Sequence, residues 1–210
     1  MTKKKTKKKK SKKSTIKKVE LAEPEPEKSK SEEQKPRKKI IATFLGERVI
    51  TEDSDEAREL NHKSVFGTIE NEKVYLSLIE ALYLFEKNRI EILDGRKKKV
   101  EVEKFVKKAQ KLEPNFWIRY IVFKDMRNRG YVVKTALKFG ADFRVYERGI
   151  KPGEDHARWI LYPVDEASTI TWYEFAAKNR VAHSTKKRIL IAVVDAENDV
   201  SYWEIRWMRP

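Results

Sequence analysis

The chain has no cysteine among its 210 residues, and this absence excludes several kinds of chemistry. Disulfide bridges, thiolate zinc sites and cysteine nucleophiles all require a thiol. Long apolar runs are missing as well, since none approaches the ~18 residues that span a bilayer. The lysine-rich start also lacks the apolar segment of a secretory signal. These absences predict a cytoplasmic protein with no membrane partner.

Acidic residues are scarce near the start of the chain, so its charge is unevenly distributed. Residues 1–39 hold 17 Lys or Arg and 6 Glu, a net charge of +11 out of +15 for the whole chain. This segment has almost no large apolar side chains and cannot bury enough surface to offset the entropy of ordering. It is predicted to be a disordered, lysine-rich arm. The arm either contacts RNA phosphates without sequence preference or serves as a solvating or localisation segment.

From residue 40 the sequence becomes globular, and residues 40–112 predict a small N-terminal α+β domain. Apolar runs and turn residues predict two short strands around Gly46, a helix opened by Ser or Asp, and a hairpin. A longer helix follows, and then a strand that ends at the turn of Asp94 and Gly95. A second charged helix ends near Pro114, which marks the predicted boundary between two domains. No residue of this first domain is assigned a chemical role.

Residues 113–210 predict a second domain with a mixed sheet. It opens with a helix on which Phe116, Tyr120 and Phe123 share a face. Three strands, a short helix from Thr171 and two closing strands follow, and the strand from Arg188 has the continuous apolar run of a buried sheet centre. The predicted fold class is therefore α+β, with a small α+β domain followed by a mixed-sheet α/β domain and preceded by the disordered arm.

Three residues of the second domain carry the chemistry that the sequence suggests. Tyr146 falls at a predicted strand end, His156 in a loop after Pro152 and Gly153, and Lys187 at the start of a buried strand. Loop and strand-end positions held by a rigid sheet are where catalytic groups usually lie. A phenol, an imidazole and an ammonium together are sufficient to cleave RNA without a metal ion.

Several stretches around these three residues form a recognisable pattern: residues 146–149, 152–153, 155–157, 180–184 with Lys187, and the closing 202–207. Together they resemble the archaeal tRNA-splicing endonucleases. The resemblance covers the second domain nearly end to end, and the first domain is similar in kind. It implies that the second domain is a nuclease domain, that Tyr146, His156 and Lys187 are its catalytic residues, and that the enzyme is a tRNA-intron lyase without a cofactor or metal site.

RNA can break its own chain when a 2′-hydroxyl attacks the adjacent phosphorus, and this reaction defines three roles. Imidazole, with an unperturbed pKa near ~6.5, suits the general acid, so His156 takes that role. Tyr146 is the predicted base, and a phenol with a reference pKa of about 10 needs nearby cations, for which Lys187 and Arg148 are candidates. Lys187 is the predicted stabiliser of the pentacoordinate phosphorane. The implied products carry a 2′,3′-cyclic phosphate and a 5′-hydroxyl.

Two neighbouring residues compete for these roles. Lys186 is the rival of Lys187, because successive strand residues point to opposite faces and only one of them enters the site. The family spacing favours Lys187. His183 lies near the end of the predicted helix and is assigned a capping or supporting role.

Substrate recognition is also implied by the resemblance. The family binds precursor tRNA in which two three-nucleotide bulges flank a short helix, and it clamps a flipped bulge base between an arginine and an aromatic ring. Arg180, seven residues before Lys187, matches the arginine. Trp207 and Trp203 are the aromatic candidates, and Trp207 is favoured, although both could instead belong to the core.

An acidic loop joins the last two strands and suggests how the subunits assemble. It contains three carboxylates, those of Asp195, Glu197 and Asp199. The loop is either a soluble hairpin turn or, as the resemblance implies, an element that inserts into a basic pocket of another subunit. We therefore predict an oligomer, either a homo-oligomer or a heterotetramer with a related non-catalytic subunit.

Two other functions compete with this prediction. A metal-dependent nuclease of the restriction-enzyme kind needs an acidic residue two positions before a strand lysine, but position 185 is Thr and position 184 is Ser. The carboxylates of Glu154 and Asp155 alone indicate a metal site only weakly. The second alternative is a non-catalytic RNA-binding or structural subunit, against which the intact set of three residues argues.

Overall fold

The computed structural model describes residues 38–136 and 140–208. Residues 1–37, and with them nearly all of the predicted basic arm, lie outside the described residues. The five helices of the described part are α1 (Asp55–Ser64), α2 (Leu78–Glu86), α3 (Val102–Leu112), α4 (Phe116–Asn128) and α5 (Trp172–Ser184). The strands are β1 (Ile40–Phe44), β2 (Val49–Thr51), β3 (Thr68–Glu70), β4 (Lys73–Leu76), β5 (Ile90–Leu93), β6 (Val132–Ala136), β7 (Ala141–Tyr146), β8 (Trp159–Asp165), β9 (Arg188–Val194) and β10 (Val200–Ile205). Each helix and strand predicted from the sequence after residue 40 is found.

The first five strands form one mixed sheet in the order β3-β4-β2-β1-β5. Only β1 and β5 run parallel, and the other neighbours are antiparallel. Local chemistry fixes the helix starts: Ser54 caps α1 through a bond from the Ala57 amide. Ser77 and Glu80 form a reciprocal capping box at the start of α2. Polar caps of this kind satisfy amides that have no partner within the helix.

The last five strands form a second sheet in the order β10-β9-β8-β7-β6. Strands β8 and β9 are parallel, and the other neighbours are antiparallel, which confirms the predicted mixed sheet. A parallel pair requires a crossover, and α5 supplies it between β8 and β9. Helix α5 packs on one face of this sheet through Val181 and Ala182. Helix α4 packs on the other face.

The main core lies between the two sheets. Phe116, Tyr120 and Phe123 are all buried on one face of α4, as predicted. The same set of buried side chains includes residues of α2, such as Leu82, and residues of β9, such as Leu190. The two halves of the chain therefore share one apolar core. A small domain followed by a mixed-sheet domain is the fold class that the sequence predicted, while the exact division at residue 112 stays a prediction.

Apolar side chains of α1, α2, α3 and α4 belong to this core, and those of α5 belong to a smaller cluster. In the described part of the chain, no helix is both long and apolar enough to cross a membrane.

Candidate active site

Tyr146 and Lys187 come to the same edge of the second sheet. The strand register places Val145 of β7 opposite Trp159 of β8, and Trp159 opposite Arg188 of β9. Tyr146 follows Val145, while Lys187 precedes Arg188, and β7 runs antiparallel to β8 and β9. Both residues therefore lie one position beyond the row of paired residues Val145, Trp159 and Arg188, and strand β8 separates them. Because adjacent strands are ~4.8 Å apart, this places their backbones about 10 Å from each other.

Side-chain alternation turns both residues towards the face that carries α5. Val145 belongs to the main core on the α4 side, so Tyr146 points to the opposite face. Two residues after Lys187 on the same face, Ile189 packs in the smaller apolar cluster beneath α5. Tyr146 is buried, and Lys187 is partly buried. The sheet therefore presents a phenol and an ammonium on one surface.

Arg144, which was not among the predicted residues, places its guanidinium over the ring of Tyr146. Arg144 lies two residues earlier on β7, and its guanidinium carbon is 5.9 Å from the centroid of the Tyr146 ring. Arg148, the predicted cation, lies instead over the ring of Tyr131 at 5.1 Å. Both arginines are two residues from Tyr146, but β7 ends at Tyr146, so the alternation that brings residues i and i+2 to one face applies to Arg144 and not to Arg148. The end of the strand is therefore the signal that distinguishes Arg144 from Arg148.

The turn between α5 and β9 sets the position of Lys187. The Lys187 amide donates to the Ala182 carbonyl at 2.8 Å, and its Nζ donates to the Thr185 carbonyl at 2.9 Å. Burial lowers the pKa of Lys187 from its ordinary value, and the positive charge of Arg144 lowers it further. Lys186 adopts a left-handed conformation, with φ of 55°, and is exposed. Of the two lysines, Lys187 is thus the one that shares an environment with the residues around Tyr146.

His156 lies in the loop between β7 and β8, and its side chain is exposed. Polar groups shape this loop: Glu154 Oε2 accepts from the Lys151 amide at 2.9 Å, and Asp155 Oδ1 accepts from the His156 amide at 2.6 Å. The two carboxylates considered as weak evidence for a metal site therefore bind the loop backbone. The Arg158 amide donates to the Val145 carbonyl at 3.0 Å. His156 is two residues from Arg158, so their Cα atoms lie within about 7 Å.

The loop of His156 also contacts the first half of the chain. Lys151 Nζ donates to the carbonyl of His62, at the last turn of α1, at 3.4 Å. Ala157, next to His156, is buried and fastens the other end of the loop. The three predicted catalytic residues thus lie at one edge of the sheet. Tyr146 is at a strand end, His156 is in a loop held at both ends, and Lys187 is in the turn after a helix.

The predicted RNA-binding residues lie on the α5 side of the sheet. Arg180 is exposed on α5, one turn before His183. The rings of His183 and Trp207 are 4.4 Å apart between centroids. Residues three apart on a helix are neighbours, so Trp207 lies close to the stripe of α5 that carries Arg180. His183 therefore contacts Trp207 through its ring, which fits the supporting alternative of its predicted capping or supporting role.

Trp203 lies on the edge strand β10. It is on β10 opposite Ile191, and its side chain is partly exposed, while the ring of Trp207 is about half exposed. Neither tryptophan is buried in the core. Among the ring contacts of the described residues, the one between β10's C-terminal extension and α5 is made by Trp207.

Of the three carboxylates in the acidic loop, one stabilises the turn and two are exposed. Asp195 Oδ1 accepts hydrogen bonds from the amides of Glu197, at 3.0 Å, and Asp199, at 2.8 Å. Asn198 has φ of 68° and accepts a bond from Trp117 Nε1 at 3.0 Å. Asp195 thus stabilises the turn, while Glu197 and Asp199 are exposed. The next strand, β10, is an edge strand of the second sheet.

Comparison with known proteins gives two matches to family models. The model described as "tRNA intron endonuclease, N-terminal domain" matches residues 40–106. The model described as "tRNA intron endonuclease, catalytic C-terminal domain" matches residues 116–202, a span that contains Tyr146, His156 and Lys187.

Curated proteins that are similar to this chain are named tRNA-splicing endonucleases. A "tRNA-splicing endonuclease" of Thermococcus onnurineus (strain NA1) is 41% identical over 164 residues, which cover 78% of this chain and 94% of the relative. Proteins of the same name from Methanothermobacter thermautotrophicus (strain Delta H) and Nanoarchaeum equitans (strain Kin4-M) are 38% and 44% identical. Their matches cover 79% and 64% of this chain, and 96% and 90% of the relatives. These matches confirm the resemblance drawn from the sequence.

Proposed function

Because the chain belongs to the tRNA intron endonuclease family, we propose that it is an endoribonuclease that excises introns from precursor tRNA at bulge-helix-bulge sites. One observation carries this proposal beyond family membership. Tyr146 and Lys187 share one face and one edge of the second sheet, and a loop that is fastened at both ends carries His156 to the same edge. Groups held in this way on a rigid sheet suit a reaction that depends on positioning.

The proposed reaction is a transesterification within the RNA. The Tyr146 oxygen takes the proton of the 2′-hydroxyl, and the 2′-oxygen forms a bond to the adjacent phosphorus. The bond between phosphorus and the 5′-oxygen breaks, and His156 donates a proton to the departing oxygen. The products are a 2′,3′-cyclic phosphate and a 5′-hydroxyl. The reaction needs neither water as a nucleophile nor a metal ion as a stoichiometric participant.

Lys187 has the proposed task of stabilising the phosphorane. Negative charge accumulates on the non-bridging oxygens as the phosphorus becomes pentacoordinate, and a fixed ammonium stabilises it most at that moment. Partial burial of Lys187 supports this role, because charges interact more strongly where water is partly excluded. Its Nζ is oriented by the carbonyl of Thr185, which restricts the side chain before RNA binds.

We further propose that Arg180 and Trp207 clamp a flipped bulge base. An unstacked base gains stacking energy on both a guanidinium plane and an indole ring. The support is the contact of Trp207 with His183, one helical turn from Arg180. Trp203, partly exposed on β10, is the second candidate for the stacking ring.

Replacing Trp207 with alanine should weaken binding of bulged RNA about 10-fold, because base stacking on an aromatic ring contributes ~1–3 kcal/mol per base. Arg180→Ala should have a similar effect, and neither variant should alter binding of a fully paired duplex of the same length. Fluorescence anisotropy with the two RNAs measures both affinities.

Trp172→Ala is the matched control for the clamp, since Trp172 is highly exposed at the opposite end of α5. It should leave both affinities within about twofold of the parent protein. If Trp203→Ala weakened bulged RNA and Trp207→Ala did not, the stacking role would belong to Trp203.

We propose that the active protein is an oligomer joined partly through the acidic loop. Glu197 and Asp199 are exposed at its tip, and Asp195 holds the turn in shape, so two carboxylates are presented to a basic pocket of another subunit. The edge strand β10 offers backbone groups to a second copy or to a related non-catalytic subunit. Two active sites in one particle would match the two cleavage positions of one intron.

One experiment tests function and assembly together. The purified chain is incubated with intron-containing precursor tRNA in EDTA, and its solution mass is measured in the same buffer. We expect excised intron with cyclic-phosphate ends and a mass at least twice the 24.9 kDa of the chain. Cleavage that appears only after Mg²⁺ is added would support the metal-dependent nuclease. Binding without cleavage under either condition would support the non-catalytic subunit.

A further inference from the structure

We propose that Arg144 is an additional substrate-binding residue of this site, and that its guanidinium binds the scissile phosphodiester. The inference rests on the proposed function of RNA cleavage and assigns it a residue outside the set of Tyr146, His156 and Lys187. Arg144 lies in the middle of β7 with its guanidinium carbon 5.9 Å from the Tyr146 ring centroid.

Arg144 lies inside a strand of the second sheet and, unlike several arginines around it, has no carboxylate partner among the described residues. Arg119 pairs with Glu113 and Asp142, Arg129 pairs with Asp125, and Arg158 pairs with Glu147. Within residues 38–136 and 140–208, no salt bridge to Arg144 is formed. Its Nε is fully buried and has no hydrogen-bond partner there. Arg144 as a whole is only partly buried, and a guanidinium without a carboxylate partner gains from an anionic ligand that binds its other nitrogens.

The neighbours of Arg144 strengthen the positive potential. Lys134 lies directly opposite Arg144 on β6, and burial lowers the pKa of Lys134. Glu80 opposes this shift, while the charge of Arg144 adds to it. On the other side, Lys187 also feels the charge of Arg144. Lys134 is paired with Glu80, and the charges of Arg144 and Lys187 then leave an excess of positive charge that suits a phosphate.

The position of Arg144 fits the phosphate that the reaction requires. Arg144 is opposite Ile160, and Ile160 is opposite Ile189, two residues after Lys187. Arg144 therefore lies on the same face as Tyr146 and Lys187. It is two residues further into the sheet from the strand ends where they lie. We place the scissile phosphodiester between the phenol oxygen and the ammonium, both of which have Arg144 as a neighbour. A guanidinium binds two phosphate oxygens with a planar fork, which the point charge of an ammonium cannot do.

The division of tasks follows from these geometries. Arg144 binds the phosphodiester charge that is already present before reaction, so it contributes to affinity. Lys187 responds to the additional charge that develops during reaction, so it contributes mainly to rate. Removal of Arg144 should therefore weaken binding of a non-cleavable substrate, which a role limited to packing against Tyr146 would not require.

The test compares two RNA probes on each protein. Both probes are bulge-helix-bulge RNAs with a 2′-deoxynucleotide at the cleavage position, so neither can be cut. One carries the normal phosphodiester at that position, and the other carries a neutral methylphosphonate. The affinity of each probe is measured for the parent protein, Arg144→Met and Arg144→Lys. These affinities form a double-mutant cycle, which isolates the contact between residue 144 and the phosphate charge.

We expect Arg144→Met to weaken binding of the charged probe about 10-fold, because hydrogen bonds to charged groups contribute ~1.5–3 kcal/mol. On the neutral probe, Arg144→Met and the parent protein should agree within about twofold. Arg144→Lys should fall between them on the charged probe, since it keeps the charge and loses the fork. Equal losses on both probes, or no loss on either, would overturn the proposal.

Arg158→Met is the matched control, because Arg158 lies at the same edge of the sheet but pairs with Glu147. It should not distinguish the probes. If Arg144→Met fails to fold, the conservative Arg144→Lys decides the question through the same two probes. The proposed function is judged separately by the parent protein on cleavable RNA. If the parent protein cleaves RNA but Arg144→Lys binds both probes as tightly as the parent does, only the role of Arg144 is refuted.

Discussion

Replacing His156 with alanine is expected to slow single-turnover cleavage by about 10² to 10⁴ and to leave RNA affinity nearly unchanged. The reason is that a general acid contributes when the bond to the 5′-oxygen breaks and contributes little while the substrate merely binds. The exposed position of His156, in a loop shaped by Glu154 and Asp155, also means that its removal disturbs no core packing. Quenched-flow rates at saturating enzyme, together with filter-binding affinities, separate the two quantities.

A modified leaving group makes this prediction specific to proton donation. In RNA with sulfur in place of the scissile 5′-oxygen, the departing thiolate is stable without a proton. His156→Ala should therefore cleave this RNA within about tenfold of the parent protein. Losses of the same size on the oxygen and sulfur substrates would assign His156 a role other than the general acid.

The chain contains two further histidines that serve as controls. His62 is at the last turn of α1, and its backbone carbonyl, which alanine retains, accepts the bond from Lys151 in the loop of His156, so His62→Ala should cleave both RNAs at the parent rate. His183 contacts Trp207, so His183→Ala should weaken binding of bulged RNA more than it slows cleavage. The variants of His156 and His183 thus separate proton transfer from base stacking, and His62→Ala is the unaffected control.

Most of the fold could be predicted because its local signals agree. The strand from Arg188 to Val194 is a run of apolar residues, and it is the buried neighbour of both β8 and β10. The Phe116, Tyr120 and Phe123 stripe predicted the buried face of α4. What these patterns lack is information about which strands pair. The parallel contact between β1 and β5, with α1, a hairpin and α2 between them, joins segments that no local pattern connects.

The candidate site shows the same division between local and long-range information. Tyr146 and Lys187 were predicted from motif spacing, but their common edge follows only from the register of β7, β8 and β9. Arg144 was missed because its importance depends on the absence of a carboxylate beside it, and three other arginines nearby do have one. The acidic loop was treated as three equivalent carboxylates, whereas Asp195 binds amides of its own turn. A hydrogen bond to the local backbone is not visible in composition.

Replacing Lys187 with methionine is expected to lower the single-turnover rate by about 10² to 10³, because one preorganised group that stabilises developing charge is lost. Methionine keeps much of the length and apolar stem of lysine, so the packing of the partly buried stem changes little. Rates and affinities measured as for His156→Ala should show a loss mainly in rate. Lys186→Met provides the matched control one residue away, since Lys186 is exposed and in a left-handed turn.

The lowered pKa of Lys187 adds a dependence on pH to this prediction. Since the ammonium form stabilises the phosphorane, activity that depends on Lys187 is present below its pKa and is lost as pH rises through it. The lowered pKa moves that loss to a lower pH than for an ordinary lysine. Lys187→Arg keeps its charge throughout this range, so the alkaline decline of kcat/KM should move to higher pH in that variant. If Lys186→Met slowed cleavage as much as Lys187→Met, or if Lys187→Arg left the alkaline decline in place, the ammonium that acts on the phosphate would not be that of Lys187.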